Sequence, residues 1–366
     1  MNLESFKEQV QHNCDVSDAG YGGVFSLCGF LLRLRDLYKW KHDIPPWEEP
    51  EPADLMEWVS LREELWESLV DAELRDLTLN GRTYHPFDAK GVNEELRPLG
   101  LIYGGGYVYG MKPSFFLGEL AESRSMGELR IDLVERELIR DLYTTPAMRQ
   151  GRQIFARRSA MVGFLWDRVL EMRPSARDAL VFALEEYGVD ADALRASPKT
   201  LGKELTRVAA SELETWIHHE VGEVLEDAFP GRVWHEIVST YSNSPIEVFA
   251  RVVKDLAADT HPRGLLGYIV ENRRRASLGF YWVFTSAFTR HFLPELKEGF
   301  REFLRTGEWG PVEGVRLAGR EKARRSARLL VEIHEEGRER GAEWARDRIF
   351  ATLLEPLGIE RGSRER

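Results

Sequence analysis

The apolar positions of this chain keep a helical spacing over most of its length and switch to strand-like alternation only in one stretch. Residues 3–11 suit a short helix, and Asn13, Asp15, Ser17, Asp18, Gly20, Gly22 and Gly23 make 13–23 read as a turn-forming run. A helix expected from Val24 carries Phe25, Leu27, Phe30, Leu31, Leu32 and Leu34 around much of its circumference before Pro45-Pro46 stops it, so it should be substantially buried. Residues 50–73 place Leu55, Trp58, Val59, Leu65, Trp66 and Leu69 on one helical face.

The period then changes. Asn80-Gly81 lies between Leu77-Thr78-Leu79 and Arg82-Thr83-Tyr84, a strong hairpin signal because both turn residues tolerate positive φ. A short helix from Asp88 to Leu96 precedes a second hairpin-like segment, 101–110 with 113–117. Strand patterns recur at 129–133 and 154–156. Gly104-Gly105-Gly106 lacks the Lys-Ser/Thr of a phosphate loop and the helix entrance of a dinucleotide fingerprint, so a strand bend or bulge is the expected reading. His85, Tyr103, Tyr107 and Tyr109 are candidates for the wall of a small-molecule pocket on this sheet.

From Arg158 the spacing is helical throughout. Ser244-Pro245 with Glu247 is a helix start with an N-cap, Pro at N1 and a capping-box acid. Residues 265–292 carry Phe280, Tyr281, Trp282, Phe284 and Phe288, an aromatic density that demands burial, and Arg273-Arg274-Arg275 before them suits a solvated turn or pairing with Glu271. The expected class is an α+β N-terminal half, with helices around a small antiparallel sheet, followed by an all-α C-terminal half, helical overall. Residues 1–195 and 200–366 are the expected domains, joined by the Pro198-containing connection at 190–200.

The densest ligand-capable stretch is a helix around residues 212–223. Glu212, Trp216, His219 and Glu223 share one stripe, with His218 and Glu220 beside it. A His and a carboxylate at i and i+4 can hold one divalent metal ion, so His218, His219, Glu212, Glu220 and Glu223 are candidate ligands, with His235, His261 or the Asp15/Asp18 region available to complete the set. The spacing matches neither H-E-x-x-H nor the Glu-x-x-His of di-iron bundles, and ordinary solvated helix surface accounts for the same residues. The second candidate cluster is His12, Cys14, Asp15 and Asp18, where capping of a helix entrance competes with a metal or catalytic role.

The run from Ser26 to Trp40 with Ile44-Pro45-Pro46-Trp47, the run from Pro245 to Asp259, and Arg275 to Tyr281 together resemble an uncharacterised family of bacterial proteins, a likeness that implies a grouping and no activity.

Composition narrows the classes. With 43% hydrophobic and 30% charged residues the 366-residue chain is globular, and no window approaches the length of an apolar membrane span. The opening residues lack the basic and apolar regions of a secretory leader, which with two cysteines, Cys14 and Cys28, both expected as small buried hydrophobes, points to the cytoplasm. A net charge of −11 makes nucleic acid an unlikely partner. No nucleophile elbow, phosphate loop, zinc-finger spacing or kinase set is present. Two classes remain, a binding module for a protein partner or for self-association, and a metal-dependent enzyme or sensor using the 212–223 helix.

Overall fold

In the computed structural model residues 3–108 and 111–359 are described, so Tyr109 and the polar tail at 361–366 lie outside the described residues. The chain forms two compact units. One takes in the chain through Glu171 together with Asp190–Leu213, and the other Met172–Val189 together with the chain from Glu214 onward.

The first unit opens on α1 (Leu3–Tyr21), which runs straight through the expected turn. Asn, Ser and Asp favour turns because their side chains bond to nearby backbone, and here those side chains are engaged elsewhere. Asn13 exchanges two hydrogen bonds with the backbone of Arg75, Ser17 donates to the Pro113 carbonyl, and Asp18 accepts from the Leu142 N–H. With the competing local bonds removed, the helix continues to Tyr21.

Ser26 caps α2 (Leu27–Lys41) by accepting from the Gly29 N–H, and α3 (Pro52–Leu69) packs on it. The expected burial of α2 does not hold: Leu34, Leu37 and Tyr38 are inside, whereas Leu27 is 74% exposed and Leu31, Leu32 and Cys28 are also on the surface. Its apolar residues circle the helix, and only one stripe of them meets α3 and Leu142.

The Asn-Gly hairpin forms as expected, β1 (Leu77–Leu79) pairing with β2 (Arg82–Tyr84) across two positive-φ residues. Asp88 then caps α4 (Ala89–Leu96). The larger sheet has the order β3-β4-β5-β7-β6, from β3 (Leu101–Tyr107), β4 (Pro113–Met126), β5 (Leu129–Arg140), β6 (Ala147–Gln150) and β7 (Gln153–Arg157). Every pair is antiparallel except β5–β7, which is parallel because the β6–β7 hairpin brings its second strand back beside β5.

The glycine run makes no bulge. Strand β3 stays in register with β4, and the irregularities fall between β4 and β5. Gly104 is needed for close approach, since a Cβ there would sit 2.1 Å from the Phe116 ring. Alternation sends Tyr103, Phe115 and Leu117 to the face covered by α1 and α4, and Ile102, Phe116, Val134 and Phe155 to the other, so the sheet centre is apolar on both sides. Helix α5 (Arg158–Glu171) follows β7 directly, and α7 (Ala191–Ala196) and the first half of α8 (Pro198–Leu225) complete the unit.

The second unit is helical. Helix α6 (Arg177–Glu185) packs closely on α12 (Arg275–Phe284), where Gly279 meets the Ala179 carbonyl. Helices α9 (Val233–Thr240), α10 (Pro245–Thr260) and α11 (Leu265–Glu271) precede α12, and α13 (Ala287–Phe292), α14 (Glu295–Thr306), α15 (Gly310–Arg340) and α16 (Ala342–Ile349) follow it. Ser244 caps α10 as expected. The stretch 265–292 is three helices, broken at Arg273, whose φ is positive, and at the Ser286 cap. Arg275 pairs with Glu186 at 3.0 Å and lies over the Phe182 and Phe303 rings, in place of the expected Glu271 pairing. Phe280, Tyr281 and Trp282 are buried as their density requires. Among the described residues no helix is long and apolar enough to cross a membrane.

Candidate functional sites

Helix α8 carries the stripe read from the sequence, and α10 supplies what the stripe meets. His219 Nδ1 lies 2.7 Å from Asp259 Oδ1, and its Nε2 lies 3.8 Å from Glu223 Oε1 on the next turn. Lys254 bonds Glu223 and stands 5.1 Å over the Trp234 ring. Asp255, exposed, is one turn before Asp259 on α10. The helices meet this closely because of Gly222, where a Cβ would come within 2.2 Å of the Ala258 carbonyl oxygen. Burial opposes charge on His219, but the carboxylates of Asp259, Glu220 and Glu223 outweigh it and raise the imidazole to about 10.

The other proposed ligands separate. His218 turns away, its Nδ1 2.9 Å from the Arg263 carbonyl oxygen and its ring stacked on Tyr268 at 4.0 Å. Glu220 is buried next to His219, and Glu212 is fully buried in the part of α8 that belongs to the first unit. His261 accepts from the Arg263 N–H, and burial together with Arg320, Arg263, Arg316 and Arg324 lowers it to about 4. Among the described residues, the group able to hold an ion is His219, Glu223 and Asp255. Asp255 and Asp259 were missed in the sequence, although their i, i+4 spacing puts two carboxylates on one face of α10.

The second cluster does not converge on a common point. Asp15 pairs with Arg62 at 2.6 Å, and the Cys14 thiol lies 3.4 Å from the Phe115 carbonyl oxygen. His12 is lowered by burial and by Arg75. Asp18 is 3.0 Å from Lys112 Nζ, which also reaches Ser17 Oγ at 2.7 Å and Asp141 Oδ2 at 3.2 Å. Lys112 and Asp141 are fully buried and Asp18 nearly so. Burial raises Asp18 to about 7 against the pull of Lys112. This sealed group ties α1 to β4 and to the residues after β5.

The tyrosines expected around a pocket also separate. Tyr103 is in the core and donates to the Pro86 carbonyl, while Tyr107 is 56% exposed and stacks on Phe87. His85 is exposed, and Tyr109 lies outside the described residues.

A cavity of about 870 Å³ opens elsewhere in the first unit, between α2, the loop after it, the end of β5, α5 and Thr206 of α8. Trp40, Trp47 and Trp166 with Pro45 and Pro46 give it an aromatic and apolar wall. Trp47 meets Trp166 edge-on at 6.4 Å and is seated against Gly202, where a Cβ would fall 2.3 Å from the indole. Polar lining includes Arg33, Arg136, Arg140, Arg168 and Lys39 alongside Asp36, Asp43, Glu137 and Asp167. The Arg140 guanidinium lies 5.2 Å over Trp40 and donates to the Asp36 carbonyl at 2.9 Å. Its Nε, together with Trp166 Nε1, Arg168 Nε and Thr144 Oγ1, is buried with no hydrogen-bond partner among the described residues. Burial, and then Asp36, raises Asp167 to about 6 against Arg35 and Arg168. The lining comes from distant segments, and Pro45-Pro46-Trp47 was the one local cue to it.

Two domain models of one family of unknown function, DUF6866, match the chain, the N-terminal domain over residues 5–157 and the C-terminal domain over 162–352. Together they cover most of the chain, which therefore belongs to that family. No curated protein and no solved structure matches it.

Proposed function

We propose that this family member is a binding protein whose first unit takes a small organic ligand with an aromatic or apolar body and an oxygen-rich, acceptor-bearing head. The supporting observation is the cavity's pairing of a tryptophan wall with the guanidinium groups of Arg33, Arg140 and Arg168 in its lining. Guanidinium groups recognise carboxylate, sulfonate and phosphate oxygens through charge-assisted hydrogen bonds, about twice as strong as neutral ones. The volume lies within the roughly 300–1,000 Å³ usual for small-molecule sites. The test uses the full chain and anilinonaphthalene sulfonate, a dye with an aromatic body and an anionic head. Gly163 lines the cavity and a Cβ there meets nothing within 4 Å, so a side chain can leave the helix at this position, and Gly163→Phe is the variant that takes up cavity space. Saturable dye fluorescence in the wild type, lost in Gly163→Phe and weakened in Trp166→Phe, is expected. Equal binding in wild type and Gly163→Phe, with circular dichroism unchanged, would place the dye elsewhere and end this reading.

A second reading, docking on a protein partner or self-association, is favoured by the exposed Leu27 and Leu31 of α2 and Met56 and Leu61 of α3. Light scattering of wild type and Leu31→Ser tests the self-association arm. A dimer that the variant abolishes supports it, and a monomer at all concentrations removes it.

A further inference from the structure

We infer that His219 Nε2, Glu223 and Asp255 form a site for a divalent transition-metal ion in the second unit, with Asp259 as the group that orients the histidine. One ligand atom from each of the three lies within 4.8 Å of the others. An ion at the centre of such a triangle is at most about 2.8 Å from each atom, so rotamer adjustments of under about 1 Å bring all three to the ~2.0–2.2 Å of metal bonds.

Three further features point the same way. The Asp259 carboxylate at 2.7 Å accepts from Nδ1 and leaves Nε2 facing Glu223, so the proton that an arriving ion displaces to solvent is the one on Nε2, and a carboxylate on the far nitrogen orients the ring as it does for a metal-bound histidine. An ammonium group, Lys254 Nζ, already sits on Glu223, so the pocket draws positive charge, and it can swing toward Trp234 when an ion arrives. Asp255 is exposed, which gives the ion a path from solvent and leaves coordination positions for water. One imidazole with two carboxylates suits Zn²⁺, Co²⁺ or Mn²⁺ better than Ca²⁺ or Mg²⁺, which prefer oxygen-only sets.

The experiment titrates the chelator-treated, dialysed full chain with CoCl₂, read by visible absorption and by calorimetry. The expected result is one Co²⁺ per chain, with affinity at least tenfold weaker in His219→Ala and in Asp255→Asn. Asp255 is on the surface, so its variant keeps the fold even if His219→Ala does not, and circular dichroism checks both. Lys254→Met, which removes the competing ammonium, tightens binding. Absence of saturable Co²⁺ binding up to 1 mM, or binding of equal strength in wild type and a folded Asp255→Asn, would overturn the assignment.

Discussion

Replacing Lys112 by Met tests whether the sealed charge group holds the first unit together. The ammonium is fully buried and makes four contacts: Ser17 Oγ at 2.7 Å, Asp18 Oδ1 at 3.0 Å, Asp141 Oδ2 at 3.2 Å and the Pro113 carbonyl oxygen at 3.2 Å. Methionine keeps the volume but leaves two carboxylates facing one another out of water. Removing one partner of a buried ion pair costs about 3–5 kcal/mol, because the remaining charge keeps its desolvation penalty without compensation. The natural readouts are two amides that the carboxylates accept from, Phe115 N–H on Asp141 and Leu142 N–H on Asp18. A loss of about 3 kcal/mol speeds their hydrogen exchange by over a hundredfold where opening is at equilibrium.

The pH dependence sharpens that test. Asp18 sits at about 7 in the folded chain against an ordinary value of 3.8. A raised carboxyl binds its proton more tightly when folded, so its contribution to stability is fully present below about pH 4 and is lost as pH rises through about 7. Without the ammonium, protonation of Asp18 relieves the facing charges, so the Lys112→Met deficit is smaller at pH 5 than at pH 8. A deficit below about 1 kcal/mol at both pH values, or one that does not change with pH, would refute the reasoning.

Three further outcomes are expected. Gly104→Ala forces a Cβ to 2.1 Å from the buried Phe116 ring and costs about 1–3 kcal/mol in denaturant unfolding, whereas Gly106→Ala, with nothing within 4 Å, is near neutral; equal effects would count against the close-approach account. Gly222→Ala drives α8 away from the Ala258 carbonyl, lowering the melting temperature and weakening Co²⁺ binding together, and a variant with wild-type values in both would show that the helices have room. A maleimide labels Cys28 in the native chain and Cys14 only after denaturation, because Cys28 is exposed while burial, then Asp141 and Asp18, push the Cys14 thiol up; two labels under native conditions would contradict the packing of α1.

What was legible in the sequence was local. Asn80-Gly81 and Ser244-Pro245 announce their turn and cap because the groups involved are within four residues of one another. The i, i+4 pair His219 and Glu223 belongs to the same class of signal. The misread elements depend on partners far along the chain. Asn13 is satisfied at Arg75 and Asp18 at Leu142, so a run with turn composition stays helical, and its apolar spacing alone was too sparse to show it. The burial of α2 failed for a related reason: an all-round apolar helix states that it has surface to cover, not which stripe is covered.

The two sites differ in how far beyond local spacing they reach. The His219 group needs one non-local fact, that α8 and α10 touch at Gly222, and a glycine facing a backbone carbonyl there is the trace this leaves in the chain. Once those helices are in contact, spacings of four on each place Glu223, Asp255 and Asp259 around the imidazole. The cavity needs the end of β5, α2, α5 and the start of α8 in position at once, and its donors become orphans only when those elements exclude water. An arginine or tryptophan in the sequence carries no mark of whether its N–H will find an acceptor. The missing acceptor is a property of the assembled unit, which is why the cavity emerged only from the structure.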